Sequence, residues 1–481
     1  MAVYELERER KLEVADGFLL PELPGERLRT VTLVSAYHDT PDRRLAAAGI
    51  TLRRRTRSGR SVRWQLKLPA EGGRFEIELA GRGIEAPEEA VEVLAAHLRG
   101  EPLGLVATLR TRRLGRRVFR GDVAVADVFH DVVTVDEDAA VQPRLDEVEI
   151  ELLPAGEERD MRRLAKVLRR AGAIDGDTRP KVFRVLDLAA AGGAASAADG
   201  SPAERLAAML AAHVRAMLGA DPAVRLDLGS ESLHDLRVAT RRMRALLRAA
   251  RPGLDEPWAE GLRTELGWLA GETNDGRDLD VLVEEFEPRV ERLGDPDTES
   301  GRRLMEGLTA GRSAARERVL AALASPRYFA LVDRLVAEAA HPKLAGSELD
   351  LGALVSSEYR RMRKTAWRAG REPDNAAMHK LRIAGKRVRY AAELAALPGD
   401  RKGQAFIRAA KDLQDVLGAH QDAVVAEERI RALAVGAGSG VALVAGRLVE
   451  QEVRRRADAR SELPDALRSL AGTAKRWALI A

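Results

Sequence analysis

The sequence contains no cysteine, which excludes disulfides, thiolate metal sites and a cysteine nucleophile. Aromatic residues make up only 4%, so a nucleic-acid surface built on interleaved stacking rings lacks its usual material. No run of about 18 apolar residues occurs, and no membrane-spanning helix is expected. The opening MAVYELERERK is charged and carries no apolar core, so no secretory signal is expected. A cytoplasmic location is the default expectation. There is no bulk charge excess either: 79 Lys and Arg against 75 Asp and Glu leave +4. Any basic site must therefore be a local cluster.

What is present is a 481-residue chain with 45% hydrophobic and 32% charged residues, enough for two or three domains with ordinary cores. One stretch organises the second part of it. Leu233 to Arg244, LHDLRVATRRMR, returns as Met378 to Arg389, MHKLRIAGKRVR. His234, Arg237, Arg241, Arg242 and Arg244 recur as His379, Arg382, Lys386, Arg387 and Arg389 at identical spacing. On a helix, His234, Arg237, Arg241 and Arg244 fall within about 80° of one another, with Leu236, Met243 and Leu247 on the far side. Crowding like charges costs a few tenths of a kcal/mol per pair. Carboxylates from elsewhere in the chain or a polyanion would offset this, and arginine forks match phosphate oxygens. A solvated basic face is the plain alternative for either copy alone; the shared His-to-Arg register in both favours anion binding.

The first 188 or so residues carry short β-patterned runs in which every second residue is charged. Glu7, Glu9 and Lys11 project from one side of the first run, Arg53 and Arg55 from another, Lys67 from VRWQLKLP, Glu76 and Glu78 from RFEIEL, Arg110 and Arg112 from LRTRR, and Glu147, Glu149 and Glu151 from EVEIEL. Residues 86–99 and 157–171 have helical patterns. A single such strand is ordinarily a solvated sheet face. Acidic and basic strands alternate here along the chain, so closing them into a barrel would line a polar lumen with facing carboxylates and guanidinium groups. Carboxylates of the first and last strands can hold Mg²⁺ or Mn²⁺, while Arg and Lys rows clamp phosphoryl oxygens.

Glu7-Arg8-Glu9-Arg10-Lys11 resembles the ExExK signature of the CYTH superfamily, the triphosphate tunnel metalloenzymes. The resemblance continues through YHDTPD with LAAAGITLRRR, the WQLKLP strand, RTR and EVEIEL, covering nearly all of residues 3–188. It implies an antiparallel tunnel of eight strands that hydrolyses or cyclises triphosphate compounds with a divalent metal. Glu7, Glu9, Glu149 and Glu151 would then be metal ligands, with Glu147 or Asp127 as additions. Lys11, Arg53, Arg55, Lys67, Arg110 and Arg112 would line the triphosphate path beside Glu76, with Glu7, Glu9, Lys11, Arg110 and Arg112 nearest the chemistry. Some triphosphatases of the family carry Lys where Arg110 stands, assigned to water activation. Arginine stays protonated, so activation would have to come from elsewhere, such as the metal.

Residues 189–202 are small and Gly-rich and read as a flexible linker. From about 203 to 481 helical patterns predominate and strand signals vanish, giving an all-α bundle of two tandem halves, about 203–340 and 350–481. Arg277, Asp278 and Asp280 follow the first basic helix, and His420 with Asp422 follows the second; salt bridges to the arginines are favoured over metal binding for these acids. This half resembles the CHAD domain, whose paired helical bundles bind inorganic polyphosphate on a basic surface. The matching positions are His234, Arg237, Arg241, Arg242, Arg244, His379, Arg382, Lys386, Arg387 and Arg389, with the second copy departing from RDxD at Gln421 and Asp422.

The whole chain thus reads as a multidomain α and β protein: an antiparallel β tunnel barrel with flanking helices, then a tandem helical bundle. The leading functional expectation is metal-dependent hydrolysis of inorganic triphosphate or polyphosphate ends by the tunnel, with polyphosphate held by the bundle. The alternative is a non-catalytic polyphosphate-binding or granule-targeting protein, motivated by Arg110. Nucleic-acid binding ranks lower because the arginine stripes lack interleaved aromatics. Nucleotide cyclisation and thiamine triphosphate hydrolysis stay open within the CYTH repertoire, as does the oligomeric state.

Overall fold

A computed structural model describes residues 3–57, 61–70, 72–135, 144–188, 200–294, 296–346, 349–477 and 479. Contacts divide the chain into one unit comprising Met1–Gly193 with Asp221–Leu226, and another comprising Ala194–Ala220 with Asp227–Ala481. Most of the stretch read as a linker, 189–199, lies outside the described residues.

The first unit is built on one antiparallel sheet. Its strands are β1 (Val3–Glu7), β2 (Glu9–Glu13), β3 (Gly25–Asp39), β4 (Thr51–Arg57), β5 (Ser61–Ala70), β6 (Gly73–Leu79), β7 (Gly104–Arg120), β8 (Val123–Val135), β9 (Arg144–Leu152) and β10 (Ile174–Asp175). They are ordered β1-β6-β5-β4-β3-β7-β8-β9-β2-β10. The ten strands differ from the eight expected for a local reason. β1 and β2 are one run of chain interrupted at Arg8, and β10 adds a two-residue edge. The interruption closes the sheet. β1 pairs with β6 near one margin while β2 pairs with β9 near the other, so the first eleven described residues seal the barrel. Gly73 makes the seam possible, since a Cβ there would lie 2.1 Å from the Glu7 carbonyl oxygen.

The barrel is inverted relative to an ordinary soluble sheet, with charges inside and apolar residues outside. On β2 and β9, Leu12, Val148 and Ile150 face outward into a core completed by Met161, Leu164 and Leu168 of α4 (Glu158–Arg170). Their sequence neighbours Lys11, Glu147 and Glu149 necessarily face the lumen. The turn-rich YHDTPD segment works as a cap: Asp39 accepts hydrogen bonds from the backbone of Thr40, Leu45 and Ala46 at 2.7, 2.9 and 3.0 Å. That starts the short α1 (Arg44–Ala47). The helical stretch at 86–99 forms α2 (Glu88–Val93) and α3 (Ala95–Leu98). A further short helix, α5 (Lys181–Val185), sets Val182 and Phe183 against Tyr37, Ala107, Leu109 and Val133.

The second unit is helical throughout: α6 (Pro202–Leu226), α7 (Ser230–Ala249), α8 (Glu256–Glu272), α9 (Asn274–Glu291), α10 (Asp297–Leu323), α11 (Pro326–Glu338), α12 (Leu351–Ala369), α13 (Asn375–Ala395), α14 (Arg401–Ala434) and α15 (Ser439–Arg476). The repeat is visible element by element. α7 answers to α13, and the broken pair α8 and α9 answers to the unbroken α14; likewise α10 with α11 answers to α15. Leu236, Met243 and Leu247 are buried, as the stripe on α7 requires. The two halves share a core in which Leu279, Phe286, Leu304 and Leu308 pack with Ala426, Ile430, Val444 and Leu448. Among the described residues, no helix is long and apolar enough to cross a membrane.

Candidate functional site

Pairing register decides which charges enter the tunnel. Tyr37 and Ser35 of β3 lie opposite Arg53 and Arg55 of β4, and Thr51 and Arg53 lie opposite Lys67 and Gln65 of β5. Lys67 in turn lies opposite Glu76. Across the seam, Lys11 faces Glu149 and Glu9 faces Glu151. Arg53, Arg55, Lys67, Glu76, Glu7, Glu9, Lys11, Glu149 and Glu151 therefore share the inner face.

Arg110 and Arg112 do not. Both are exposed, because the inner face of β7 carries Ala107, Leu109, Thr111 and Arg113, opposite Tyr37, Ser35, Leu33 and Val31. The expectation that the RTR arginines line the tunnel is corrected by one register position: Arg113 takes that place. A one-residue offset exchanges the two faces of a strand, and LRTRRLGRR supplies an arginine on each. The register with β3 separates them, setting the buried Leu109 and Thr111 opposite Ser35 and Leu33. With Arg110 outside, the argument against catalysis from a missing lysine there falls away.

Arg113 is the hub of the acidic side. It donates to Asp131 at 2.8 and 2.7 Å, to Glu151 at 3.1 Å and to Glu149, and it lies 4.2 Å from the Phe129 ring centre. Gly115 gives Phe129 that position; a Cβ there would come within 2.6 Å of the ring. Carboxylate oxygens of Glu9, Glu149 and Glu151 all lie within 4.8 Å of one another. Burial, the charge of Glu149 and that of Glu7 push Glu151 up to about 7 despite Arg113. Hard oxygen donors at that spacing fit a divalent cation. Glu7 stands apart from this trio and accepts a hydrogen bond from Lys67, which also pairs with Glu76 at 2.7 Å. Burial would raise Glu76, but Lys67 and Arg53 outweigh it and hold the carboxyl at about 2.

A second acidic trio, Asp131, Glu147 and Glu149, is filled from within. Lys181 of α5 places its ammonium 2.9, 2.6 and 2.7 Å from the three carboxylates, and Arg184 donates to Glu13 at 2.6 Å and to Glu147 at 2.5 Å. Burial alone would lower Lys181, yet the three carboxylates raise it well above its ordinary value. Neither Lys181 nor Arg184 was legible in advance. RPKVFRVL has no period that announces a short helix returning into a barrel.

The cationic side is less balanced. Arg53 donates to Gln65 at 3.0 Å and to the Tyr37 hydroxyl at 3.3 Å. Arg55 donates to Ser35 Oγ at 3.4 Å, and among the described residues no carboxylate pairs with it. Burial, Arg53 and Arg113 hold its guanidinium down at about 10. It lines a cavity of about 480 Å³ together with Arg57, Arg113 and two arginines that carry their own carboxylates, Arg63 with Glu78 and Arg117 with Asp127, within the size range of small-ligand sites. Arg57 continues the alternation begun at Arg53, and Arg117 continues that of Arg113.

In the helical unit, α7 and α13 pack together, and seven of the ten basic positions sort into three groups. Arg242 and Arg389 share Glu393, at 3.0 and 2.7 Å, around Tyr390. Arg237 donates to the Asn274 carbonyl at 2.9 Å and pairs with Asp278 at 3.5 Å, while Asp280 goes instead to Arg312 at 2.6 Å. In the third group no carboxylate forms an ion pair among the described residues, although Asp422 acts on Arg382 and Lys386 from farther off. Arg241, Arg244 and Arg382 each bury an Nε that makes no hydrogen bond. Burial, then Arg382 and Arg241, bring Lys386 down to about 7. Of the remainder, His379 is exposed, with Nδ1 2.8 Å from Gln421 Oε1. Burial and Arg277 lower the half-buried His234, and Arg387 lies in the field of Arg248.

Comparison with known proteins accords with this division. A CYTH domain model matches residues 5–181 and a CHAD domain model matches residues 208–431. The uncharacterized protein MT2285 of Mycobacterium tuberculosis is 31% identical over 97% of this chain and 96% of its own. Among solved structures, PptA from Streptomyces chartreusis is 24% identical, covering 55% of this chain and 99% of its own with a TM-score of 0.46. The CHAD domain from the plant Ricinus communis is 27% identical, covering 56% and 92%, also with a TM-score of 0.46.

Proposed function

Since the chain belongs to the CYTH and CHAD families, with one domain of each in a single polypeptide, we propose that it is an inorganic triphosphatase that also binds polyphosphate. The tunnel cleaves a phosphoanhydride bond of triphosphate or of a polyphosphate end, and the helical unit retains the polymer. One observation carries the reading. Arg55, with no carboxylate partner among the described residues, lines a cavity at the same inner surface that gathers Glu9, Glu149 and Glu151. Such a surface suits a substrate that is itself polyanionic and arrives with a divalent cation.

Glu9, Glu149 and Glu151 would hold Mg²⁺ or Mn²⁺, which supplies Lewis acidity and an oriented water when bound. Arg53, Arg55, Lys67 and Arg113 bind the phosphoryl oxygens and offset the charge that grows on them as the P–O bond breaks. Lys11, 3.0 Å from Glu9 and 3.7 Å from Glu149, keeps those carboxylates aimed at the lumen. In the helical unit Arg241, Arg244, Arg382 and Lys386, which form no ion pair among the described residues, meet phosphoryl oxygens.

The test is phosphate release from inorganic triphosphate with Mg²⁺ or Mn²⁺, alongside ATP and thiamine triphosphate. Metal-dependent release is expected for the wild type, with losses of at least about 100-fold in Glu9→Gln and Arg55→Ala, the scale of one lost transition-state contact. Absence of metal-dependent release from any of these substrates overturns the catalytic half. Polyphosphate binding that survives Arg241→Ala with Arg382→Ala overturns the other.

A further inference from the structure

α12 carries SEYRRMRKTAWRAG, a stretch that the two phosphate arrays do not absorb. Its apolar side is spent in the core, where Leu351, Val355, Tyr359 and Met362 are buried. Its other side is cationic. Arg360, Arg361, Arg363, Lys364 and Arg368 are all exposed. Arg361 pairs with Glu358 at 2.8 Å; among the described residues no carboxylate pairs with the other four. At about 100° per residue Arg360, Lys364 and Trp367 fall within about 60° of one another, with Arg363 and Arg368 on either side.

Trp367 is 82% exposed at the centre of this face. The other four of the chain's five tryptophans are accounted for. Trp64 and Trp258 are buried, Trp268 lies 4.4 Å beneath the Arg327 guanidinium, and Trp477 donates to Asp400 at 2.8 Å. A solvated indole among unpaired cations is unfavourable for the folded chain alone, since like charges at helical spacing repel and the ring forgoes burial. Inorganic polyphosphate would answer the charges and leave the ring unused. A ligand with phosphates and flat rings answers both.

We propose that this face of α12 binds single-stranded nucleic acid, one base stacking on Trp367 while Arg360, Arg363, Lys364 and Arg368 contact flanking phosphates. An unpaired base offers its π-face in a way that duplex does not. An anionic membrane is the weaker fit, because membrane-surface helices turn a broad apolar face outward and α12 buries its own.

The experiment is fluorescence anisotropy of a labelled oligouridylate about 12 nucleotides long, titrated with the full chain at low salt. Saturable binding is expected. Trp367→Ala should weaken it about 5- to 150-fold, the equivalent of about 1–3 kcal/mol for a stacked base, while Trp367→Phe retains most of it. Arg360→Glu with Lys364→Glu should weaken it and flatten its salt dependence, and an abasic strand of equal length should bind like the Trp367→Ala variant does to the oligouridylate. The proposal is overturned if no strand binds, if abasic and base-bearing strands bind equally, or if only Arg241→Ala with Arg382→Ala abolishes binding. It is equally overturned if phosphatidylserine vesicles, and no oligonucleotide, are bound through Trp367.

Discussion

On the proposed function, Lys386 would make polyphosphate retention a proton-linked event. In the free protein burial and the neighbouring Arg382, Arg241 and Arg237 hold its ammonium at about 7, with Asp422 opposing them. A row of phosphoryl oxygens reverses that balance and restores a value nearer the ordinary 10.5. The sign follows directly: the bound state holds a proton that the free state loses above about pH 7, so binding takes up a proton and weakens as pH rises. With a free value of about 7 the protonated fraction falls from about nine-tenths at pH 6 to about one-tenth at pH 8. Affinity should drop about tenfold over that interval, equivalent to about 1.4 kcal/mol. Polyphosphate of long chain length is the right ligand, because its few terminal groups then contribute little titration of their own. Calorimetry at pH 8 in two buffers of different ionisation enthalpy should count close to one proton taken up per site. Lys386→Arg, which stays charged, should abolish the uptake and hold affinity level between pH 6 and 8. Equal proton uptake by wild type and Lys386→Arg would refute the assignment, and so would pH-independent binding by the wild type.

Three further outcomes follow from the tunnel. Arg113→Ala should cost about 3–5 kcal/mol, since it strips Asp131, Glu149 and Glu151 of their shared guanidinium, whereas Arg110→Ala and Arg112→Ala on the outer face should stay within about 0.5 kcal/mol; urea unfolding distinguishes them, and equal losses would put the register in error. Lys181→Met should destabilise the chain without metal and open the Asp131, Glu147 and Glu149 cage to a second ion, so that calorimetric titration with Mn²⁺ finds two sites where the wild type has one; unchanged stoichiometry would contradict the view of Lys181 as a resident cation. Glu9→Gln should weaken Mn²⁺ binding in that titration while Glu7→Gln should leave it nearly intact, because Lys67 already holds Glu7; the opposite ranking would return Glu7 to the ligand set.

What could be read in advance follows from which features repeat locally. The period-2 alternation of Glu147, Glu149 and Glu151 against Val148 and Ile150 is visible in nine residues, and so is the inward turn of their carboxylates, given that the apolar set must be covered by a helix. Where both faces of a strand carry arginine, as around Arg110 and Arg113, alternation predicts that one set enters the tunnel and cannot choose which. The partner strand chooses, through Leu33 and Ser35 pairing with Thr111 and Leu109. Lys181 lay beyond reach for a different reason, since its role depends on three carboxylates contributed by β8 and β9, more than thirty residues away. The tandem basic helices were legible as a repeat. The division of their ten positions was legible only in part: Asp278 was expected as a salt-bridge partner of the arginines, whereas Glu393, which ties Arg242 across helices as well as Arg389 along α13, was not.

On the proposed function the two arrays would handle the same ligand chemistry by opposite means, and that difference can be measured. In the tunnel most cations sit beside carboxylates: Lys67 with Glu76, Lys11 with Glu9, Arg113 with Asp131. A phosphate chain entering there would meet nearly as much negative as positive charge, and its retention would depend on a divalent ion neutralising the acids. On α7 and α13, Arg241, Arg382 and Lys386 have no such partners among the described residues, so phosphate oxygens need no intermediary. Attraction between groups that are only half-buried is screened by salt, whereas coordination by buried carboxylates is screened much less. Chelator should therefore abolish phosphate release while leaving polyphosphate bound, and rising salt should detach polyphosphate at concentrations where triphosphate turnover with Mn²⁺ persists. Loss of both properties together under either treatment would mean that the two arrays act as a single site.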